Sequence, residues 1–194
     1  MEQHNGFEVY DQRFERLLLP NSALEKLADG CIWSEGPVYF HNNGDEYVLW
    51  SDIPNNRMMR WSPTDGVSVF RQPSNYTNGH TRDPQGRLVS CEHGGRRVSR
   101  TEADGTVVSV VDNYHGRRFN SPNDLVFKSD GTLWFTDPSY GILAGTKEGY
   151  ESPYEVAGDF VYRYDPATDE LTVVARDFVK PNGLAFSLDE KRLY

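Results

Sequence analysis

What most constrains this chain is an internal repeat. Four segments superpose on one another: Glu35-Gly-Pro-Val-Tyr-Phe, Asn78-Gly-His-Thr-Arg-Asp, Asn123-Asp-Leu-Val-Phe-Lys and Asn182-Gly-Leu-Ala-Phe-Ser, with first residues 43, 45 and 59 positions apart. A period of about 40 to 50 residues is that of a four-stranded propeller blade. Within each period, strand-like runs alternate with turn residues in the same order. The third period reads as a polar loop ending in Asn123-Asp124, the apolar run Leu125-Val-Phe, an Asp130-Gly131 hairpin signal, and a second strand closing on Asp137. Phe160-Val-Tyr-Arg-Tyr and Leu171-Thr-Val-Val follow it. In the first period Tyr47-Val-Leu-Trp, Arg57-Met-Met-Arg-Trp and Val67-Ser-Val-Phe take the corresponding places. The pattern predicts a series of meanders and an all-β protein.

The extra length of the third period lies in residues 141–158, which are rich in Gly, Tyr, Glu and Ala and lack strand periodicity. They predict either a lid-like insertion between the second and third strands or a surface excursion. The expected organisation is one incomplete propeller domain over 1–194. It comprises an extension over 1–23, an outer closing strand over 24–34, blades over 35–77, 78–122 and 123–181, and the start of a fourth blade over 182–194. Propellers have about 4 to 8 blades and remove sheet edges by closing. About three and a half blades therefore predict an N-terminal fragment of a longer protein.

Composition narrows the function. With 37% hydrophobic and 13% aromatic residues in 194, the chain can bury a core. Its net charge is -9 and its 20 Lys and Arg are scattered, so no basic stripe is available for nucleic acid. Cys31 and Cys91 form no Cys-x-x-Cys pair and are expected to be free thiols. No cationic and apolar leader and no membrane-length segment are seen, so the expectation is a cytoplasmic protein without a membrane partner. Oligomeric state has no signature here.

In a propeller the innermost strand of each blade lines the central channel, so Glu35, Asn78, Asn123 and Asn182, which open those strands, are expected at one mouth. One carboxylate and several amide oxygens form a hard donor set, suited to calcium or magnesium more than to zinc. Asn and Gly at strand openings are equally explained as turn formers. A second acidic series, Asp52, Glu92 and Asp137, ends the second strands and is expected to bond backbone amides in the turns that follow. Asp124 serves either to orient Asn123 or as a structural turn residue. His80, two residues beyond Asn78 and on the same strand face, and His93, in Glu92-His93-Gly-Gly-Arg96, are candidate proton-transfer or substrate-contacting groups; ordinary loop histidines are the competing reading. No Gly-x-Ser-x-Gly elbow, Walker loop, dinucleotide fingerprint or His-Glu-x-x-His occurs.

Ser34-Glu35-Gly36-Pro37, Ser51-Asp52-Ile53-Pro54 with Arg60-Trp61, Ser121-Pro122-Asn123-Asp124 with Asp130-Gly131, and Pro181-Asn182-Gly183-Leu184 resemble the gluconolactonase, regucalcin (SMP-30) and luciferin-regenerating-enzyme family. Residues 81–97 are similar to its bacterial gluconolactonase branch. The resemblance implies a six-bladed β-propeller, of which this chain covers part, with one divalent metal ion at the channel mouth. Calcium is the first expectation, with magnesium and zinc as alternatives. The family's metal-binding glutamate falls on Glu35, its middle asparagine on Asn123 and its later asparagine on Asn182; a further aspartate ligand would lie beyond residue 194. Asn78, His80 and His93 are then expected to position substrate, and Asp124, His80 and His93 are the candidates for a catalytic group. Regucalcin has an arginine where this chain has Ser121, and serum paraoxonase a histidine where it has Asn78, so substrate choice and the proton-transfer group stay open. The implied activity is metal-dependent hydrolysis of a sugar lactone of the glucono-1,5-lactone type to the aldonic acid. The alternatives are another lactonase or a phosphotriesterase on the same scaffold, or an inactive, truncated metal-binding propeller.

Overall fold

Turn chemistry sets the strand ends. Gly131, at φ +86°, completes the Asp130-Gly131 turn, and Asp130 Oδ1 accepts the Thr132 N–H at 3.0 Å and its hydroxyl at 2.6 Å. A computed structural model describes residues 3–4, 7–19, 23–42 and 44–194, which fall into two units, Met1–Gly30 and Cys31–Tyr194. In the first, β1 (Gln3–His4) pairs with β2 (Phe7–Glu8), and the single turn of helix α1 (Gln12–Glu15) starts at Asp11, whose Oδ1 accepts the Arg13 N–H at 2.8 Å. Residues 23–33 carry no strand. Leu24, Leu27, Ile32 and Trp33, the large apolar residues of the expected outer strand over 24–34, are exposed, so little apolar burial favours an ordered strand there.

The second unit contains three four-stranded antiparallel sheets, each a meander with its strands in sequence order. The first sheet comprises β3 (Ser34–Asn42), β4 (Asp45–Asp52), β5 (Arg57–Ser62) and β6 (Gly66–Arg71). The second comprises β7 (Thr77–Arg82), β8 (Leu88–Glu92), β9 (Arg97–Thr101) and β10 (Val107–Val111). A small hairpin of β11 (Asn113–Tyr114) and β12 (Arg117–Arg118) leads to the third sheet, β13 (Leu125–Phe127), β14 (Leu133–Asp137), β15 (Phe160–Asp165) and β16 (Glu170–Ala175). Beyond it, Ala185 and Tyr194 exchange backbone hydrogen bonds of 3.0 and 2.8 Å, and Phe186 packs edge-on against Trp134 of β14 with ring centroids 5.3 Å apart.

Burial follows position within each sheet. β8 is buried at every residue, as expected of a strand covered on both faces, whereas β16 alternates between exposed and half-buried residues, as expected of an outer strand. Val89, Cys91 and Val98 of the second sheet pack with Leu125, Leu133, Phe135 and Tyr162 of the third, and Phe119 fills the space between. The Phe135 and Tyr162 rings stack at 5.1 Å. A smaller cluster of Phe40, Leu49, Met58 and Leu88 joins the first sheet to the second.

The sequence between β14 and β15, residues 138–159, is an ordered cap. Gly141 N donates to Ser121 Oγ at 2.8 Å, Ser152 N donates to Ile142 O at 3.0 Å, and Ile142 and Val156 are buried. Glu155 accepts from Arg96 at 3.1 Å and from Arg118 N at 2.9 Å, and Tyr150 meets Tyr76 edge to face at 5.2 Å. The segment lies between the second and third strands of its sheet, and these contacts tie it to the rest of the unit.

Candidate active site at the strand openings

The openings of successive inner strands touch one another through their main chains. The register slips by one residue after Glu35 in the pairing of β3 with β4, and again after Thr77 in the pairing of β7 with β8. Such bulges re-aim the side chains beside them. Gly36, at φ +58°, lies so close to the second opening that a Cβ there would come within 2.2 Å of Asn78 O. Gly79 N donates to Asn123 O at 2.8 Å, and a Cβ on Gly79 would meet that oxygen at 2.6 Å. Asp124 extends the chain of contacts, its Oδ2 accepting the Leu184 N–H at 3.2 Å beside Gly183. Small hydroxyl residues reinforce the arrangement: Ser51 Oγ lies 2.9 Å from Asn78 O, and Thr136 donates to Asn182 O at 2.7 Å. Cys91 holds the corresponding position in the second sheet, where burial raises its pKa well above the usual thiol value.

The two central histidines differ in what they offer. His80 is buried with both ring nitrogens committed, Nε2 at 2.8 Å from Ser51 Oγ and Nδ1 at 2.8 Å from Ser90 Oγ. Burial, aided by the Arg71 charge, pushes its pKa down to about 3. It is a neutral tie between the first two sheets, with no nitrogen left for a substrate. His93 is fully buried, and its Nε2 stands 3.3 Å from Asn78 Nδ2 and 3.4 Å from Asn123 Nδ2. Its Nδ1 lies 3.0 Å from the backbone oxygen of Glu148 and 3.5 Å from that residue's carboxylate. Burial lowers the His93 pKa to about 4 despite the backbone bond, so at neutral pH the contact with the carboxylate is no ion pair.

The second acidic series is structural, with partners other than those expected. Asp52 accepts from the backbone N–H groups of Ile32 and Trp33, from Asn55 Nδ2 and from Arg57. Glu92 accepts from Asn75 at 2.6 Å and from Arg97 at 2.8 Å. Asp137 takes the Asn120 N–H at 2.9 Å. For Asp52 and Asp137 the bonded amides belong to the chain entering the first strand, because antiparallel pairing sets the end of a second strand beside that entry, as with Ser34 opposite Asp52.

Glu148, from the 138–159 insertion, joins the openings as a residue that the sequence pattern does not reveal. Burial raises its pKa, the Glu35 charge raises it further and the Lys180 charge opposes, which puts all three charges in one neighbourhood. Ser90 and Thr136 are equally unmarked, although Ser51, Cys91 and Thr136, directly before Asp52, Glu92 and Asp137, form a readable series.

Of the expected metal ligands, Asn123 is buried, whereas Glu35 and Asn182 are exposed. Among the described residues no hydrogen bond engages the Glu35 carboxylate, Asn123 Oδ1 or the Asn182 amide, so their oxygens are uncommitted. No cluster of three or more His, Cys, Asp and Glu occurs among the described residues. A cation here would meet a mixed carboxylate and amide set, which fits a hard ion. Asp124 is wedged between Gly79 and the 183–184 backbone, and burial raises its pKa against the Leu125 and Leu184 N–H groups.

Residues 33–194 match the SMP-30/Gluconolactonase/LRE-like region. A gluconolactonase of Zymomonas mobilis is 35% identical over 95% of this chain and 54% of its own length. The structure of a gluconolactonase from Xanthomonas campestris superposes with TM-score 0.80 at 41% identity, over 87% of this chain and 55% of that one. A calcium-binding regucalcin of Agrobacterium tumefaciens, 15% identical, shares the fold, with TM-score 0.60 over 82% of this chain and 48% of that one. The fold is thus the all-β propeller of these proteins, covered in part, and the chain spans about half the length of the relatives it matches. No helix among the described residues is long and apolar enough to cross a membrane.

Proposed function

The chain belongs to the SMP-30/gluconolactonase/LRE-like family, and from that premise we propose that it hydrolyses a sugar lactone of the glucono-1,5-lactone type to the aldonic acid. A divalent cation, calcium in the first instance, would be held by Glu35, Asn123 and Asn182. Carrying this reading is the observation that Glu35 and Asn123 stand at the openings of the first and third sheets and Asn182 follows the third, with side-chain oxygens that no hydrogen bond engages among the described residues. Held there, the ion would supply Lewis acidity toward the lactone carbonyl and would lower the pKa of water. In the reaction, water adds to the carbonyl carbon, the ring C–O bond breaks, its oxygen leaves as a hydroxyl, and the new acid releases a proton. Asn78 offers an amide oxygen beside the ligands, and Glu148 and Lys180 form a polar rim suited to sugar hydroxyl groups. His80, with both nitrogens engaged, stays outside the chemistry.

Proton release from glucono-1,5-lactone measures the activity directly. Chelation of divalent ions and Glu35→Gln should each lower the rate by about 100-fold or more, judged against the losses typical of disturbed metal sites. An unchanged rate in both cases would sink the metal-dependent reading. A panel including pentonolactones and phosphotriesters separates the sugar lactonase from another hydrolase.

A further inference from the structure

We propose that His93 is a positioning residue that fixes the amides of Asn78 and Asn123 with their carbonyl oxygens free for a ligand, and that Glu148 selects the tautomer that allows it. The inference rests on Asn123 being a ligand of the cation, as read above. A backbone carbonyl can only accept a hydrogen bond, so the 3.0 Å contact from His93 Nδ1 to Glu148 O requires the proton on Nδ1. In the neutral ring Nε2 then has a lone pair and no proton. Two amide NH2 groups converge on that lone pair, from Asn78 at 3.3 Å and Asn123 at 3.4 Å. Two donors sharing one acceptor explain why both distances are long. Flipping either amide would set Oδ1 against the lone pair, so the ring decides both orientations. One imidazole thus orients side chains from two adjacent sheets.

The ring has little freedom to abandon this duty. His93 N donates to Tyr76 O at 3.0 Å, and a Cβ on Gly141 would come within 2.7 Å of His93 Cβ, so the insertion walls it in. Glu148 belongs to that insertion. The cap between β14 and β15 is therefore connected, through one ring, to the oxygens offered at the strand openings. Metal-binding histidines are commonly oriented by an outer partner, and here a histidine would itself be the outer partner of the amide ligand Asn123.

Two measurements on the intact protein test the inference. Long-range proton–nitrogen spectra of calcium-free protein should show His93 protonated at Nδ1; an Nε2–H tautomer would overturn it without reference to any metal. Calorimetric titration with calcium then compares three proteins. His93→Asn keeps a donor toward Glu148 O but deletes the acceptor, and should weaken calcium binding roughly 10- to 100-fold, while His93→Gln keeps an acceptor near the Nε2 position and should stay within about threefold of wild type. Equal losses in both variants, tracking their melting temperatures, or undiminished binding by His93→Asn, would overturn the role of His93. Wild-type protein that takes up no calcium would overturn the cation reading itself.

Discussion

Asp52 and Asp137 occupy the same place in two sheets, both wholly buried, and their environments drive them in opposite directions. Burial acts to raise the Asp52 pKa, but hydrogen bonds from Asn55, Ile32, Arg57 and Trp33 outweigh it and hold the carboxyl below its usual value. Burial also raises Asp137, and with no cation in contact and the negative Asp159 nearby its pKa reaches about 8. For Asp52 the linked stability is present above the unfolded pKa and is lost as the pH falls through the depressed folded value. For Asp137 it is present below the unfolded pKa and is lost as the pH rises toward about 8. In urea unfolding, Asp52→Asn should cost about 2 kcal/mol at neutral pH, because it removes the buried charge that accepts from Ile32, Trp33, Asn55 and Arg57. Asp137→Asn should remove the loss of stability on going from pH 4 to pH 8, leaving the variant ahead of wild type by more than about 1 kcal/mol at the upper end. Parallel pH profiles for Asp137→Asn and wild type would contradict this assignment. The existence of the acidic series was legible because it recurs with the repeat. Its sign at each site was not, since that depends on whether an arginine stands within reach.

At the level of elements, the insertion shows where pattern reading stops. Hairpins such as Asp130-Gly131 announce themselves through local turn chemistry, and β8 and β16 differ in the way that covered and outer strands must. The contact of His93 with Glu148 joins residues 55 positions apart. Neither a period nor a motif encodes such a pair, so the candidate site was legible in its openings and illegible in what surrounds them. Arg96 is one fastening of the insertion, through Glu155. It is buried, and its guanidinium donates to Phe119 O at 2.5 Å and to Glu155 at 3.1 Å. Arg96→Ala should cost about 2 kcal/mol or more, and limited proteolysis within residues 141–158 should quicken by at least about tenfold. Arg96→Lys should fall between, since it keeps the charge but not the fork of donors. A cleavage rate equal to that of wild type would show that the contacts with Ser121, Arg118 and His93, together with apolar burial, hold the cap without Arg96.

At the level of the whole second unit, stability is unevenly shared among the three sheets. The second and third are joined by the larger cluster, with Phe119, Phe135 and Tyr162 at its centre, whereas the first meets the second through Phe40, Leu49, Met58 and Leu88. Tyr39, Val67, Val69 and Phe70 of the first sheet are exposed. Native-state hydrogen exchange should therefore be slowest in β8, β14 and β15 and faster by at least about tenfold in β6. Uniform protection across the sheets would mean that the unit opens only as a whole.

For the lactonase proposed above, the absence of a side chain at positions 36 and 79 would carry a consequence for substrate range. With main chain resting on main chain from one opening to the next, the spacing of the donors behaves as a ruler cut from backbone dimensions, and a bulkier residue at either point has nowhere to go. In the lactonase proposed above, breadth and selectivity would then be adjusted elsewhere, by exchanging the strap over residues 138–159 while the ruler beneath it keeps its length.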